Sequence, residues 1–479
     1  MTRSPGGPTL VAVDLGAESC RVSILQWQGE TPRIAMVRRF ANSSVDHIAP
    51  GLRWDLEHIR AELEAALHDC AERAPDGIDG IGVTGWAVDY VRLDAHGQPL
   101  AAPYCYRDPR TQPAMAAVHA ILPAEQLYAR TGVQIQPLNT IYQLYADRLA
   151  GNDAALWVNL PESILHWLGA PCIAEFTNAT HTALIDPDRR TWCDAIFSAL
   201  DLNRAAAPEL VAPGTVLGPL RNDLRSLSAF SGTQIIAPAC HDTASAIAGI
   251  PGSDRPWVYI SSGTWSLVGM LQPQALKTAE ACAAKFTNLG AADGQILFHR
   301  SIVGMWLLQQ CRKTWAPQRS WPIEELIDES RRVSAPEALL DLDDPAFVSP
   351  GNMPTRINAQ RTGRGLARLP ESPGAAPHYA ALIFHSLAAR YAEALREITK
   401  LTGSHPEKIC IVGGGSRNAF LNDLTSAATG CPVVACVQES STLGNFAVQC
   451  AALASPRGIA APQEIAGYAA KLASAEVSG

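Results

Sequence analysis

Two strand–turn–strand patterns, one at the start and one near the middle of this chain of 479 residues, constrain its fold more than any other feature. The first has apolar runs at Leu10–Val13 and Val22–Trp27 around a turn of small residues. The second has apolar runs at Trp257–Ile260 and Trp265–Leu271 around Ser261–Thr264. Such turns between apolar runs are typical of β-hairpins. The repeat predicts a duplicated architecture with one copy starting each half, although both strings are also compatible with ordinary, unrelated hairpins.

Short apolar runs alternate with helical periodicity along most of the chain, which favours α/β layers. Leu56–Cys70 has the apolar spacing of a helix, and Ile78–Val83 and Val88–Leu93 are typical of strands. His378–Leu401 is the longest helical pattern, and Gly403 follows it where a C-cap glycine belongs. We therefore expect an α/β protein.

The segment Gly249–Pro256 combines glycine, proline, serine and aspartate, which predicts a boundary between two halves. We expect an N-terminal domain at residues 8–248, a C-terminal domain at 249–460 and a C-terminal tail at 461–479. The length of the chain allows each domain its own hydrophobic core.

The composition excludes several classes of protein. The 38 basic and 46 acidic side chains leave a formal charge of -8, which argues against binding to the phosphates of a nucleic acid. No apolar run approaches the ~20 residues of a membrane-spanning helix, and the apolar start is shorter than a signal peptide requires. The twelve cysteines are scattered without a C-x-x-C pair, as in a reduced protein. We expect a cytoplasmic protein that binds neither nucleic acid nor membrane, whether monomer or homodimer.

Gly80, Gly82 and Gly85 match the spacing of the dinucleotide-binding fingerprint. That fingerprint requires a strand before the glycines and a helix that begins within them. Here Ile81 and Val83 place the glycines inside a strand, and no helical pattern follows. The sequence therefore does not predict an oxidoreductase that binds a pyridine nucleotide.

The turn after the first strand carries residues suited to phosphate and metal. Asp14 ends a buried strand, and a carboxylate there can hold Mg²⁺ directly or through water. The backbone N–H groups of a tight turn can cradle a phosphate. Arg21 suits either a phosphate contact or a position over the surface, and the whole string is also compatible with a plain turn.

Asp242 follows the strand-like run Ile235–Ala239 and precedes small residues that favour a helix. A carboxylate at a helix N-terminus is stabilised as the anion and can accept the proton of an alcohol. A plain N-cap is the alternative interpretation.

A third pattern lies near the end of the chain. Ile409–Val412 predicts a buried strand that runs into Gly413–Gly415, and Ala419–Ala428 favours a helix. This order lets a nucleotide approach the backbone closely. With the two hairpins and Asp242, it suits phosphoryl transfer, which depends on positioning and on the exclusion of water.

Ordered segments within residues 8–455 resemble the FGGY family of carbohydrate kinases and, within it, the bacterial rhamnulokinases. The segments are Val11–Arg21, Tyr106–Thr111, Asn139–Leu144, Phe176–Thr180, Cys240–Ala246, Tyr259–Leu267, Gly304–Gln309, Gly413–Asn418 and Ser441–Asn445. The resemblance implies two actin-like (ribonuclease H-like) α/β domains with an interdomain cleft. It also implies that the N-terminal domain binds the sugar and carries the first phosphate loop, while the C-terminal domain binds the nucleotide.

The resemblance assigns roles to individual residues. It implies ATP and Mg²⁺ as cofactors, with Asp14 near the metal and Asp242 as the general base on a hydroxyl at C1 of a ketose. The residues it places on ATP are Ala17, Glu18, Ser19, Cys20, Arg21, Thr264, Gln309 and Gly414. The residues it places on the sugar are Ala87, His241, Asp242, Thr243 and Ser301.

Two departures from the rhamnulokinase pattern bear on the sugar. Ala87 stands where the pattern has a glycine, and Ser301 stands where it has an asparagine. We expect L-rhamnulose as substrate and L-rhamnulose 1-phosphate as product, and these two positions leave open L-fuculose or another ketose or polyol. A non-catalytic regulator that responds to sugar or nucleotide is the alternative from another class. Glu18 also replaces the small hydroxyl residue of most relatives.

Four further residues have two interpretations each. Asp89 and Asn139 either contact the sugar or tie turns together. Trp86 and Trp265 either line the cleft or belong to the core, where a tryptophan beside a strand is more common.

Overall fold

The computed structural model describes residues 6–46, 48–152, 154–252, 256–436 and 439–478. Its contacts divide the chain into two compact units. Unit 1 holds the described residues within 1–252, 271–298 and 439–479, and unit 2 holds those within 253–270 and 299–438. The predicted domain bounds of 8–248, 249–460 and 461–479 follow the chain continuously and stay a prediction. Part of the predicted boundary, residues 253–255, lies outside the described residues.

Strands and helices are interspersed along the chain, as expected of the α/β protein that the apolar runs predicted. In chain order they are Leu10–Leu15 (β1), Ser19–Gln28 (β2), Thr31–Ala41 (β3), Ser44–Val45 (β4), Arg53–Trp54 (β5), Gly80–Gly85 (β6), Tyr90–Leu93 (β7), Leu156–Asn159 (β8), Ile173–Glu175 (β9), Ile185–Asp186 (β10), Thr191–Trp192 (β11), Glu209–Val211 (β12), Thr215–Pro219 (β13), Gln234–Ala237 (β14), Trp257–Ser262 (β15), Trp265–Gln272 (β16), Phe286–Gly290 (β17), Ile296–Val303 (β18), Lys408–Val412 (β19), Val433–Ala435 (β20) and Glu476–Ser478 (β21).

The α-helices in chain order are Leu56–Arg73 (α1), Thr111–Ile121 (α2), Ala124–Thr131 (α3), Thr140–Leu149 (α4), Leu160–Trp167 (α5), Phe176–Ala179 (α6), Asp194–Leu200 (α7), Asn222–Arg225 (α8), Asp242–Ala248 (α9), Ala279–Ala283 (α10), Trp306–Trp315 (α11), Ile323–Ser330 (α12), Met353–Gly363 (α13), Ala376–Thr402 (α14), Ala419–Thr429 (α15), Ser440–Ala454 (α16) and Pro462–Leu472 (α17). Short 3-10 turns occupy Thr180–Thr182, Arg204–Ala206, Ser228–Phe230, Pro345–Phe347, Pro373–Ala375 and Gly414–Arg417.

A seven-stranded sheet in the order β13-β14-β6-β1-β2-β3-β21 forms the centre of unit 1. Strand β1 pairs antiparallel with β2 and parallel with β6, and every residue of β1 and β6 is buried. One face of the sheet presents Val11 and Val13 to a hydrophobic core that includes Ile59 and Leu63 of α1. Because side chains alternate along a strand, the opposite face carries Ala12 and is open to another helix.

Helix α16 covers that opposite face, and this packing explains two of the glycines in the false dinucleotide motif. A Cβ at Gly82 would lie 2.6 Å from the Asn445 side chain, and one at Gly80 would lie 3.0 Å from Gln449. Gln449 Nε2 also donates to the backbone oxygen of Val11 over 2.9 Å. The glycines therefore allow a helix to approach the sheet, and they lie inside β6 as the sequence predicted.

A second large sheet has six strands in the order β17-β18-β16-β15-β19-β20. Its hairpin β15–β16 is antiparallel, and β15 pairs parallel with β19 on its other side. The same arrangement surrounds β1, so the duplicated architecture predicted from the two hairpins is confirmed. The long helix α14 ends at Gly403, which has the left-handed conformation expected of a C-cap glycine.

The predicted tail, residues 461–479, folds with unit 1. It carries α17, and β21 pairs parallel with β3 at the edge of the first sheet. All twelve cysteines are free thiols. Within the part of the chain that the structure describes, no helix is long and apolar enough to cross a membrane.

Candidate active site

Asp14 lies near the end of β1, and its side chain is buried. In the register of the sheet it stands opposite Arg21 and beside Thr84. The Arg21 guanidinium donates to Asp14 Oδ2 over 3.0 Å, and the Ser441 hydroxyl donates to the same oxygen over 2.8 Å. Burial raises the pKa of Asp14, Arg21 and Ser441 oppose that rise, and the negative charge of Asp242 adds to it. The two aspartates are therefore close enough to interact electrostatically.

Arg21 is shared between two carboxylates. Besides its bond to Asp14, its guanidinium donates to Glu439, the residue before α16. The sequence left open whether Arg21 contacts phosphate or lies over the surface. The structure places it between Asp14 and Glu439, with 26% of its side chain exposed.

The turn between β1 and β2 is fixed by its own backbone and by Asn42. Asn42 Nδ2 donates to the oxygen of Gly16 over 2.9 Å, and its N–H donates to the oxygen of Glu18 over 3.0 Å. A Cβ at Gly16 would lie 2.5 Å from the Ser19 oxygen, so this position requires glycine. The Glu18 side chain is exposed, and Ser19 Oγ accepts a bond of 3.1 Å from Arg39.

Two of the predicted phosphate-loop residues have their side chains against the core. Cys20 is fully buried, and burial raises the pKa of its thiol to about 12. Ala17 packs partly buried against the same core. The side chains of both residues therefore contribute to the packing of the core.

Asp242 is the first residue of α9, as the small residues after it predicted. His241 is the N-cap of this helix, so Asp242 is not the plain N-cap of the alternative interpretation. The Thr243 hydroxyl donates to Asp242 Oδ1 over 3.1 Å. Desolvation raises the pKa of Asp242 to about 6, and the Thr243 bond and the charge of Arg21 oppose the rise. Because 37% of this side chain is exposed, the carboxylate stays accessible to a substrate.

His241 is buried beside Asp242, with Nε2 3.3 Å from Asp242 Oδ1. Burial lowers the pKa of the imidazole to about 3, so the ring is neutral near pH 7 and the contact is not an ion pair. The His181 ring lies 3.9 Å from the His241 ring. Nδ1 of His241 is buried and has no hydrogen-bond partner among the described residues.

Asp89 is the centre of a buried hydrogen-bond network between β6 and β7. The indole N–H groups of Trp54 and Trp86 both donate to Asp89 Oδ2, over 2.6 and 2.9 Å, and Gln143 donates to Oδ1 over 3.1 Å. Desolvation raises the pKa of Asp89 to about 6 against the effect of these donors. The network places Trp86 in the core, whereas Trp265 is 46% exposed.

The backbone next to Asp89 is strained. Val88 has a φ of +72°, in the left-handed region that β-branched residues rarely adopt. Thr140 and Gln143 donate to its oxygen over 2.7 and 3.2 Å and hold this conformation. Strain of this kind persists only where the surroundings enforce it, often at functional sites. Ala87, the residue before Val88, is buried in this turn.

Asn139 ties a turn, as one of its two interpretations predicted. Its Oδ1 accepts the backbone N–H of Gln136 over 2.9 Å, and the residue precedes α4.

The hairpin of unit 2 brings two predicted nucleotide residues together. Thr264 lies in the turn between β15 and β16, and its hydroxyl donates to Gln309 Oε1 over 3.4 Å. The backbone N–H of Gly304 donates to the oxygen of Thr264 over 3.1 Å. A Cβ at Gly304 would lie 2.7 Å from the Ser266 hydroxyl, so the hairpin turn requires a glycine beside it. Ser301, the predicted sugar residue of this unit, lies partly buried in β18.

The triple glycine packs against the end of β15. Gly413 follows β19 with a φ of +81°, and a Cβ at Gly415 would lie 2.0 Å from the Ser262 hydroxyl. Gly414 differs, because a Cβ there would have open space around it. The middle glycine therefore leaves room for a ligand, while its neighbours serve the packing of the turn.

Ser441 and Glu439 are site residues that the sequence analysis missed. Ser441 belongs to a segment that carried the family resemblance, but no role was inferred for it. Both follow Asp14 by more than 400 positions, and the contacts arise because α16 packs on the first sheet. No local pattern reports such a contact.

Two family models match this chain almost from end to end. The N-terminal domain of the FGGY family of carbohydrate kinases matches residues 9–249, and the C-terminal domain of the same family matches residues 258–453. The chain belongs to the FGGY family of carbohydrate kinases. It is therefore a sugar kinase, a phosphotransferase whose substrates are ATP and a small sugar, as the resemblance implied.

Relatives of this FGGY kinase are similar over most of their length. The rhamnulokinase of Pectobacterium carotovorum subsp. carotovorum (strain PC1) is 36% identical over 466 residues, which cover 94% of this chain and 90% of the relative. The rhamnulokinase of Bacteroides thetaiotaomicron is 33% identical over 446 residues, which cover 91% of this chain and 89% of the relative.

The solved structure of the ligand-bound xylulose kinase from Lactobacillus acidophilus superposes on this FGGY kinase with a TM-score of 0.75. The sequence identity is 16%, over 97% of this chain and 96% of that one. The likeness shows the fold, and it confirms the two actin-like α/β domains that the resemblance implied.

Proposed function

We propose that this kinase transfers the γ-phosphoryl group of ATP to the C1 hydroxyl of L-rhamnulose and releases L-rhamnulose 1-phosphate and ADP. Two rhamnulokinases among its relatives, at 36% and 33% identity over most of both chains, support the sugar. The observation that carries the chemistry is Asp242, a partly exposed carboxylate whose pKa is raised to about 6 by desolvation.

Asp242 acts as the general base. A carboxylate with a pKa near 6 is ionised at neutral pH, yet it is a stronger base than an aspartate in water. It removes the proton of the attacking hydroxyl as the oxygen bonds to phosphorus. Because His241 is neutral, it adds no positive charge beside Asp242 that would lower the pKa of the carboxylate further.

Asp14 is the proposed protein ligand of Mg²⁺. Among the described residues, no group of three or more carboxylate, histidine or cysteine side chains could hold a metal ion by itself. Mg²⁺ in kinases fits this donor set, because it uses one or two carboxylates with water and the substrate phosphates. Among the described residues, the hydrogen bonds from Arg21 and Ser441 both end at Asp14 Oδ2, which leaves Oδ1 for the metal. The metal would offset the negative charge of the phosphates during transfer.

The remaining roles follow the two hairpins. The phosphates of ATP accept hydrogen bonds from backbone N–H groups of residues 17–21 and from the hydroxyl of Thr264. The nucleotide contacts Gln309 and Gly414. The contact between Thr264 and Gln309 and the open space at Gly414 support this assignment.

The residues that contact the sugar are His241, Asp242, Thr243, Ala87 and Ser301. Nδ1 of His241 supports this role, because a buried acceptor without a partner in the described residues can take a sugar hydroxyl as donor. Ala87 and Ser301 are the positions at which this pocket departs from the rhamnulokinase pattern. These two positions leave L-fuculose or another ketose or polyol as the alternative substrate.

The test is ADP release by the purified protein with Mg-ATP and a panel of sugars: L-rhamnulose, L-fuculose, L-ribulose, D-xylulose and glycerol. We expect the highest kcat/KM with L-rhamnulose. A higher kcat/KM with another sugar would identify that sugar as the substrate and leave the proposed phosphoryl transfer unchanged. Binding of ATP without turnover of any sugar would contradict the proposal and favour a regulator.

Asp242→Asn tests the base. The variant should bind ATP and sugar but lose kcat by a factor on the order of 1,000, within the range attributed to general bases. Asp194→Asn is a matched control, since Asp194 is also the first residue of a seven-residue helix and makes no contact with Asp14 or Asp242 among the described residues. Near wild-type turnover of Asp242→Asn would refute the assignment.

Ala87→Gly combined with Ser301→Asn tests the sugar pocket. If these side chains read the sugar, the ratio of kcat/KM for L-rhamnulose to that for L-fuculose should rise by about tenfold, which corresponds to ~1.4 kcal/mol. An unchanged ratio would show that the specificity lies elsewhere.

A further inference from the structure

Glu162, Glu175, Thr177 and Asn178 form a buried polar cluster in unit 1 that none of the proposed roles uses. We call it the buried carboxylate cluster. The Glu175 carboxylate, at the end of β9, accepts hydrogen bonds from Thr177 and Cys240. The N–H of Thr177 donates to Oε1 over 2.8 Å, and the Thr177 hydroxyl and the N–H of Cys240 donate to Oε2 over 2.5 and 2.8 Å. The Cys240 N–H belongs to the segment of backbone that leads into α9.

Thr177 extends the same connection to the next residue. Its hydroxyl oxygen accepts the backbone N–H of His241 over 3.2 Å while its proton is donated to Glu175. A threonine hydroxyl has one proton and free acceptor capacity, so it can make both bonds at once. The two N–H groups immediately before Asp242 are thus both held by the Glu175–Thr177 pair.

Glu162 supports this pair from α5. Its Oε1 accepts the N–H of Glu175 over 3.2 Å, and its Oε2 accepts Asn178 Nδ2 over 2.7 Å. Burial raises the pKa of Glu175 to about 7 and that of Glu162 to about 8, and the charge of Glu175 contributes to the rise at Glu162. Burial and the repulsion between the two carboxylates therefore both oppose ionisation of the whole pair.

We propose that Glu175 and Thr177 are positioning residues for phosphoryl transfer: by fixing the backbone of Cys240 and His241 they aim the carboxylate of Asp242 at the substrate hydroxyl. The inference rests on the proposed role of Asp242 as the general base. Helix α9 has only seven residues, so the direction of its first side chain depends on how the chain enters it. A base must lie within hydrogen-bond reach of its proton, and a displacement of ~1 Å can lower the rate on the order of 100-fold.

Thr177→Val tests the proposal, because valine keeps the shape of threonine and removes the hydroxyl. Thr182→Val is the matched control. Thr182 is equally buried, its hydroxyl donates to the oxygen of Ala179 over 2.6 Å, and it accepts the N–H of Leu184 over 3.2 Å. The control thus also loses one hydrogen bond that its hydroxyl donates and one that it accepts, in the same region of the chain. Its donated bond ends at a backbone oxygen where that of Thr177 ends at a carboxylate, and neither bond involves the backbone that enters α9.

Both valine variants should lower the melting temperature by similar amounts. Only Thr177→Val should lower kcat, on the order of 100-fold, with the KM for ATP unchanged. Thr177→Ser retains the hydroxyl and should keep kcat within about threefold of wild type. Because a loss of folded protein would also lower apparent kcat at constant KM, kcat is calculated per folded protein, with the folded fraction measured by circular dichroism.

Equal kcat in the two folded valine variants would overturn the inference, and so would wild-type kcat in Thr177→Val. If Thr177→Val does not fold, Glu175→Asp retracts the carboxylate from Cys240 and Thr177 and should give the same loss of kcat at constant KM for ATP. Wild-type kcat in a folded Glu175→Asp would overturn the inference. Asp242→Asn separates the two proposals: if it keeps turnover the base is wrong, whereas if it is inactive and Thr177→Val is normal only the positioning role is wrong.

Discussion

The two hairpins share one topology but end in different chemistry. In both, the first strand pairs antiparallel with the second and parallel with a later strand on its other side. The last paired residues of the first hairpin are Asp14 and Arg21, which form an ion pair of 3.0 Å. Those of the second are Ser262 and Ser266, which are neutral.

The surroundings of the hairpins differ in the same way. The first hairpin lies beside Glu439 and Ser441, which complete a charged network. The second lies beside the triple glycine, and Ser266 shares a bond of 2.6 Å with the Tyr391 hydroxyl. One backbone plan thus carries a charged pair in one copy, and neutral residues with close backbone packing in the other. The comparison shows that the two copies share the position at which the first strand ends, while the residues at that position determine which chemical groups are present.

Asp14→Asn should have the largest effect, because it removes charge from the charged hairpin. We expect kcat to fall on the order of 1,000-fold, since a metal ligand contributes several kcal/mol to the stabilisation of transferring phosphate. Steady-state kinetics at several Mg²⁺ concentrations measure the loss. If the variant had the kcat of wild type at every Mg²⁺ concentration tested, Asp14 would not be a ligand of the metal.

The pH dependence of kcat/KM should report the pKa of Asp242, the proposed general base. A general base acts as the anion, and the pKa of Asp242 is raised to about 6, so kcat/KM should fall about tenfold for each pH unit below that value. A profile that stays flat to one unit below the pKa would contradict this expectation.

Thermal unfolding at the same pH values is the control for that profile. The pKa values of Asp89 and Asp242 are raised in the folded state, so near pH 5 the folded protein binds more protons than the unfolded chain. These two groups therefore add stability as the pH falls from 7 to 5. If activity falls between pH 7 and pH 5, the protonation of Asp89 and Asp242 does not explain the fall by unfolding the protein.

Gly414→Ala and Gly415→Ala should separate ligand space from packing at the neutral hairpin. A methyl group at Gly414 has open space, so the variant should keep its melting temperature but raise the KM for ATP about fivefold if the nucleotide approaches there. A methyl group at Gly415 would meet Ser262, so that variant should lower the melting temperature. An unchanged KM for ATP in Gly414→Ala would show that the nucleotide does not bind next to Gly414.

Ser266→Ala should have the smallest effect. It removes a neutral hydrogen bond to Tyr391, which contributes about 1 kcal/mol to the free energy of unfolding. We expect kcat to stay within about twofold of wild type, because the lost group carries no charge. Denaturant unfolding and steady-state kinetics measure the two quantities, and a large loss of kcat would show that the second hairpin also depends on its last paired residues.

The sequence alone predicted most of the fold near the site, because the relevant signals are local. The apolar runs of β1, β15 and β19 and the periodicity of α1 and α14 depend on neighbours in sequence. Strand β3 was missed, since only a few of its residues are buried and its apolar pattern is weak. The false dinucleotide motif was rejected for a local reason too, namely its strand-like residues.

What the sequence determined by itself is the chemistry available: an aspartate at the end of a buried strand, another at the start of a helix, and glycines after a third strand. Only the tertiary structure decided their environment. Ser441 and Glu439 reach Asp14 and Arg21, and Glu175 reaches Cys240, through contacts between segments far apart in sequence. Desolvation, which raises the pKa of Asp242, likewise depends on what the whole fold packs around the residue. Burial and long-range hydrogen bonds are properties of the folded chain, so no window of sequence can report them.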